Sequence, residues 1–228
     1  MKTFALAALA GISQATLLSQ VDYDFMKFVT THNKFYGTVE EFELRKANFV
    51  ASDLKIKEQN QKNGNWTAAH NKFSDWTEEE YNRLLGLREM DVETFGFADE
   101  KFEDLEFNFN GGGGLDWRTV KDVVTPVKDQ GQCGSCWAFS SIEAIESAYV
   151  IAGNSQKIMS PQELVDCTKS ILGNHGCSGG WYYNSYKWLK NNMTMLEADY
   201  PYTATDSAAC QYDASKGVTG VSSYTQVA

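Results

Sequence analysis

The stretch Gln130-Gly131-Gln132-Cys133-Gly134-Ser135-Cys136-Trp137-Ala138-Phe139-Ser140 puts a cysteine where a glycine-rich turn passes into an apolar run. Backbone N–H groups at a helix start favour negative charge, so a thiol there is drawn toward thiolate, its nucleophilic form. The element that must position this sulfur follows at once. Ala138, Ile142, Ile145, Tyr149 and Ala152 recur at helical spacing, and Gly153-Asn154 end the pattern. The nucleophile is therefore expected in the first turn of a buried helix, which holds a side chain more firmly than a loop does. Ser160-Pro161-Gln162-Glu163 predicts a second helix start, with Ser160 as N-cap, Pro161 in the first turn and Glu163 closing a capping box. Its role is structural.

The five cysteines, Cys133, Cys136, Cys167, Cys177 and Cys210, all fall in the second half, and their number is odd. Two bridges and one reactive thiol are the economical reading, but spacing alone leaves the connectivity open. Two other uses compete. Cys133-Gly134-Ser135-Cys136 has the spacing of a thiol–disulfide exchange motif, but that motif wants a preceding strand and a tryptophan ahead of the first cysteine; in this chain Trp137 follows the second. A zinc site is weaker still, since Cys167, Cys177 and Cys210 form no second close pair. No metal and no cofactor are expected.

The 228 residues are 43% hydrophobic and 13% aromatic, enough for a packed core, and the net charge of −10 argues against nucleic acid or an anionic membrane as partner. Solubility is the simplest reason for that acidity. Residues 1–15 read as a secretory signal peptide: Lys2, the apolar run Phe4 to Ile12, then Ser13-Gln14-Ala15 as a small-x-small cleavage site. The run is too short to span a bilayer. Secretion makes disulfides permissible and gives meaning to two N-glycosylation sequons, at Asn65 and Asn192.

Gly111 to Gly114 separate a charged, cysteine-free first half from the cysteine-bearing second half and make an accessible site for proteolytic nicking. Glu40 to Asn60 reads as one long helix carrying Phe42, Phe49, Leu54 and Ile56 among charges. Glu41, Arg45, Phe49, Ile56 and Asn60 meet the spacing E-x3-R-x3-F-x2-N-x3-I-x3-N, with Ser52 at the first asparagine position. Asn71, Phe73 and Asp75 meet G-x-N-x-F-x-D, with Ala69 for the glycine. Acidic residues crowd Glu78 to Glu80 and Asp99 to Glu106. Acidification is expected to protonate paired carboxylates and loosen this segment.

These patterns together resemble the precursor of a papain-family cysteine peptidase of the cathepsin L type: the cysteine motif Cys133 to Trp137 fits its nucleophile signature, and the two upstream spacings fit its inhibitory propeptide. The resemblance implies an α+β fold with residues 16–110 as inhibitory propeptide and 111–228 as the first part of the peptidase domain, beginning near Leu115-Asp116-Trp117-Arg118. It makes Cys136 the nucleophile and gives Gln130, with the Cys136 N–H, the oxyanion hole. It pairs Cys133 with Cys177 and Cys167 with Cys210, and it sets Gly134, Gly179, Gly180, Trp181 and Tyr182 along the substrate cleft, the glycines leaving room for substrate backbone. Tyr182 is bulkier than the resemblance leads one to expect. Polypeptide substrates, the chain's own propeptide as intramolecular inhibitor, a monomeric state, and a lysosomal, vacuolar or extracellular destination follow from the same likeness.

One component is missing. The family's histidine base and its orienting asparagine lie some 130–150 residues beyond the cysteine, and these 228 residues end well short of that. The histidines are His32, His70 and His175. The first two lie in the propeptide, and His175 is expected on the cysteine's own side of the cleft as an exposed loop residue. The chain reads as an incomplete copy that bears the nucleophile lobe and lacks most of the β-rich lobe, with 218–228 as one strand beginning. The rival reading is a non-catalytic inhibitor or pseudoenzyme that binds full-length cysteine peptidases.

Overall fold

The structure, a computed structural model, describes residues 18–62, 64–87, 114–169, 173–206 and 208–224. The expected signal peptide, the acidic run Asp99 to Glu106, Gly111 to Gly113 and the last four residues lie outside these. Two compact units divide the chain, residues 1–78 and 79–228.

In the first unit, α1 (Gln20–Thr31) begins at Ser19, whose hydroxyl accepts from the Asp22 N–H while the Asp22 carboxylate accepts from the Ser19 N–H, a reciprocal cap. The long helix α2 (Val39–Gln61) begins at Thr38, whose side chain accepts from the Glu41 N–H. Phe25, Phe28 and Phe49 form the core, with Val29, Tyr36, Phe42 and Val50 packed around them. Leu54, also on α2, stays 64% exposed. The loop after α2 is tied back to it by polar groups. Asn60 exchanges two hydrogen bonds with the Ala68 main chain, at 2.7 and 3.0 Å. Ser52, at the position where the spacing calls for asparagine, donates to the Ser74 carbonyl at 2.8 Å. Asp75 is buried and accepts from Lys34 at 2.8 Å and from Tyr36 at 2.9 Å. Arg45 and Asn48 donate to its carbonyl oxygen.

A short helix α3 (Glu78–Asn82) precedes the main elements of the second unit: α4 (Cys136–Ile151), α5 (Pro161–Cys167) and α6 (Tyr182–Leu189). The helix α4 packs on both α5 and α6 around Trp137, Ala138, Ile142, Ile145, Met159, Leu164, Val165 and Leu189. It ends where the spacing indicates, just ahead of Gly153. Ala152 is the exposed C-cap, and Gly153 turns the chain with φ of +92°, a region costly for side chains. Disulfides join Cys133 to Cys177 and Cys167 to Cys210, and Cys136 is free.

Two local expectations change. Ser160 caps α5 through the Glu163 N–H, but Glu163 does not close a capping box. Its carboxylate turns inward to accept from the Met195 N–H at 2.7 Å and the Trp188 indole at 3.3 Å, while the Ser160 N–H donates to Met195. The tail from Val218 to Tyr224 forms no strand. One antiparallel bridge joins Thr219 to Thr194, and the Val221 N–H then bonds the Leu189 carbonyl at the end of α6, so the chain is drawn onto a helix end before a ladder can start. Among the described residues there are only isolated bridges, so the β part of the α+β expectation is not represented. None of the described helices is long and apolar enough to cross a membrane.

Candidate active site

Cys136 is the first residue of α4, and its thiol is partly exposed. The preceding Ser135 is fully buried and makes no side-chain cap. Its hydroxyl lies 2.7 Å from the Tyr202 hydroxyl instead. The helix start therefore presents main-chain donors without a side-chain cap beside the sulfur, where an oxyanion could be received.

Gln130 is held on two sides. Its carbonyl oxygen accepts from the Tyr202 hydroxyl at 2.8 Å, and its Nε2 donates to the Cys133 carbonyl at 2.8 Å. Tyr202 itself stands edge-on to Phe139 of α4, 4.8 Å between ring centres, and burial pushes its phenol up, so it remains a neutral donor. The loop that carries Gln130 is anchored by Glu146, a fully buried carboxylate on α4. Lys128 and Thr125 each donate to its Oε2 at 2.6 Å, and the Met159 N–H donates to its Oε1 at 2.8 Å. None of Tyr202, Glu146 or Lys128 belongs to a local motif, and they meet only in the folded unit.

The second Gln130 Nε2 contact is with the Leu84 carbonyl, at 3.0 Å. Residues Leu84 to Leu87 run along this surface by main chain. The Gly180 N–H donates to the Gly86 carbonyl at 2.8 Å, and Leu87 pairs with Gly180 in a parallel bridge. Gly86 lies flat on Gly134, so close that a Cβ on Gly86 would come 1.8 Å from the Gly134 oxygen.

Gly134 is further fixed by its N–H, which donates to the Cys177 carbonyl at 2.9 Å. Gly180 needs its missing side chain for a reason other than open access. A Cβ there would meet Trp137 and Asn174 at 2.7 Å, so it packs inward against α4 while its N–H faces the Leu84–Leu87 segment. Gly179 adopts φ of +108°. The Trp181 N–H donates to Asn174 at 2.8 Å, and its ring lies 5.6 Å from that of Tyr182, which is 37% exposed. His175 is exposed, and its N–H donates to Gly179.

Residues 113–228 match the profile of the papain family of cysteine proteases, and residues 25–81 match the cathepsin propeptide inhibitor domain. The chain belongs to the papain family of cysteine proteases, in its cathepsin L-like branch. It is 38% identical to a cathepsin L-like proteinase of Phaedon cochleariae, over 98% of this chain and 68% of the relative. It is 36% identical to cysteine proteinase 1 of Entamoeba histolytica, over 90% of this chain and 62% of that one. Among solved structures, digestive procathepsin L2 from the larval midgut of Tenebrio molitor superposes with a TM-score of 0.75 at 34% identity, covering 89% of this chain and 66% of the other. The chain thus spans about two thirds of the length of these relatives.

Proposed function

We propose that this chain carries the nucleophile lobe and prosegment of a cysteine endopeptidase zymogen, with Cys136 forming the acyl-enzyme and Gln130 and the Cys136 N–H holding the oxyanion. The observation that carries this reading is the Leu84–Leu87 main chain lying on Gln130, Gly134 and Gly180, beside the uncapped start of α4. A backbone seated there is a ligand of the kind the cleft would accept, and as part of the prosegment it blocks substrate. Attack by the Cys136 sulfur on a scissile carbonyl forms the thioester and expels the amine, which needs a proton donor. Among the described residues no histidine is bonded to Cys136, so residues 1–228 by themselves are expected to be alkylated at Cys136 without turning over substrate.

Gly134, Gly179, Gly180, Trp181 and Tyr182 line the substrate side in this reading. The spacing residues Glu41, Arg45, Phe49, Ile56, Asn60, Asn71, Phe73 and Asp75 build the inhibitory unit. Cathepsin relatives and two disulfides support a route through the secretory pathway to an acidic or extracellular destination.

The test is hydrolysis of a fluorogenic peptide by the natural product after prosegment removal. Cys136→Ala is expected to abolish it. Gln130→Ala is expected to lower kcat by about 100- to 1000-fold, the usual effect of losing one oxyanion donor. Unchanged turnover in either variant would overturn the assignment. A second reading has support in the propeptide inhibitor match at residues 25–81: a product that is never a peptidase but inhibits one. Tight inhibition of a full-length relative by a natural product that has no activity of its own would select it.

A further inference from the structure

Two sequons stand in the chain, Asn65-Trp66-Thr67 and Asn192-Met193-Thr194, and the fold treats them oppositely. Asn65 lies in the turn that follows α2, where residues 64–67 are all exposed, Trp66 to 59%. Among the described residues, neither the Asn65 side chain nor the Thr67 hydroxyl is used to hold the turn. That work falls to Asn60, through its two bonds to the Ala68 main chain.

At the other sequon the acceptor nitrogen is engaged. Asn192 Nδ2 donates to the Trp188 carbonyl at 3.0 Å. Thr194 is fully buried, and its main chain pairs with both Val218 and Thr219. Gly220 passes so near that a Cβ on it would lie 3.0 Å from the Asn192 carbonyl oxygen, and one on Gly217 would lie 2.6 Å from Met193 Cβ. A sugar on Asn192 would be carried on the nitrogen that holds the Trp188 carbonyl, beside the segment 217–221, which closes over the end of α6 through the bond from Val221 to Leu189.

We propose that Asn65 is the carbohydrate acceptor of this chain and that Asn192 is not modified in the folded protein. The Asn65 amide nitrogen attacks the anomeric carbon of a lipid-linked oligosaccharyl diphosphate. The new C–N bond forms as the C–O bond to the diphosphate breaks. The diphosphate leaves with the electron pair, and one amide proton passes to a base of the transferase. The glycan then covers the exposed indole of Trp66. The proposal rests on the reading that the chain enters the secretory pathway, and it puts all the N-linked sugar on the prosegment and none on the peptidase half.

The test uses the full chain behind a heterologous secretory leader in a eukaryotic host, with folded protein recovered from the medium. Removal of N-glycans by an amidase in ¹⁸O water marks each formerly occupied asparagine as labelled aspartate, read by peptide mass. Label at Asn65 alone is expected. Asn65→Gln and Thr67→Ala should each abolish the endoglycosidase-sensitive gel shift, and Asn192→Gln should leave it unchanged. Unlabelled Asn65 in secreted protein, or label at Asn192, overturns the proposal. The readout is independent of proteolysis, so labelled Asn65 in a natural product that proves inactive after prosegment removal would sink the peptidase reading and leave this one standing.

Discussion

Gln130 Nε2 and the Leu84 carbonyl oxygen lie 3.0 Å apart, so the amide assigned to the oxyanion is occupied by a main-chain group of the same chain. The contact also explains why Gly86 has no side chain. Between Leu84 and Leu87 the chain must lie flat against Gly134, and a Cβ at Gly86 would fall 1.8 Å from backbone rather than from a side chain able to move aside.

Gly86→Ala is therefore expected to lift the segment off the cleft while leaving the peptidase half folded. Alkylation of Cys136 by iodoacetamide, followed by mass spectrometry, should be at least about tenfold faster in the variant than in the parent, corresponding to loss of about 1.4 kcal/mol of shielding. Equal rates would mean that the segment does not cover the thiol.

The buried carboxylate of Glu163 gives a pH dependence with a definite sign. Burial, only partly offset by the Met195 and Trp188 donors, raises it to about 7 from an ordinary 4.5. The folded state thus binds a proton more tightly than the unfolded chain. Its contribution is fully present below about pH 4.5 and is lost as the pH rises through 7, amounting to roughly 3 kcal/mol. Chemical denaturation at pH 4.5 and 7.5 should show the second unit more stable in acid, other groups being equal. Glu163→Gln should flatten that difference.

Lys128 and Glu146 form a buried pair at 2.6 Å that ties the Gln130 loop to α4. Lys128→Met leaves the Glu146 carboxylate uncompensated, and the expected loss is about 3–5 kcal/mol. The double replacement Lys128→Met with Glu146→Leu is expected to recover much of that. Urea midpoints of the two variants distinguish a stranded charge from lost packing.

In the first unit, Tyr36→Phe removes one of the two side-chain donors to the buried Asp75 carboxylate. Hydrogen bonds to charged groups contribute about 1.5–3 kcal/mol. Amide hydrogen exchange along α2 should accelerate accordingly in the full chain, with α4 unaffected.

The helices α2, α4 and α5 are legible in the sequence because each announces itself locally. The periodic run Ala138, Ile142 and Ile145 marks α4, Ser160-Pro161 opens α5, and Gly153 stops a helix by its own backbone freedom. Polar groups that turn inward are not legible. Glu163 sits where a capping box needs it, yet the Met195 N–H lies within reach and takes the carboxylate. Glu146 reads as one more charge on a helix until Lys128 and Thr125 close on it. Leu54 shows the converse: an apolar residue within a helix does not by itself mark the buried face. Tyr202, which positions Gln130, lies far along the chain from it, and nothing in its neighbourhood signals that role.

The cleft grips Leu84–Leu87 by carbonyls and a glycine, while the side chains of Leu85 and Leu87 stay 62% and 58% exposed. A lock made of backbone is indifferent to the spelling of its key. Leu85 and Leu87 are thus free to drift without loosening these main-chain contacts, and a restraint written in backbone need not be rewritten when the side chains along it change.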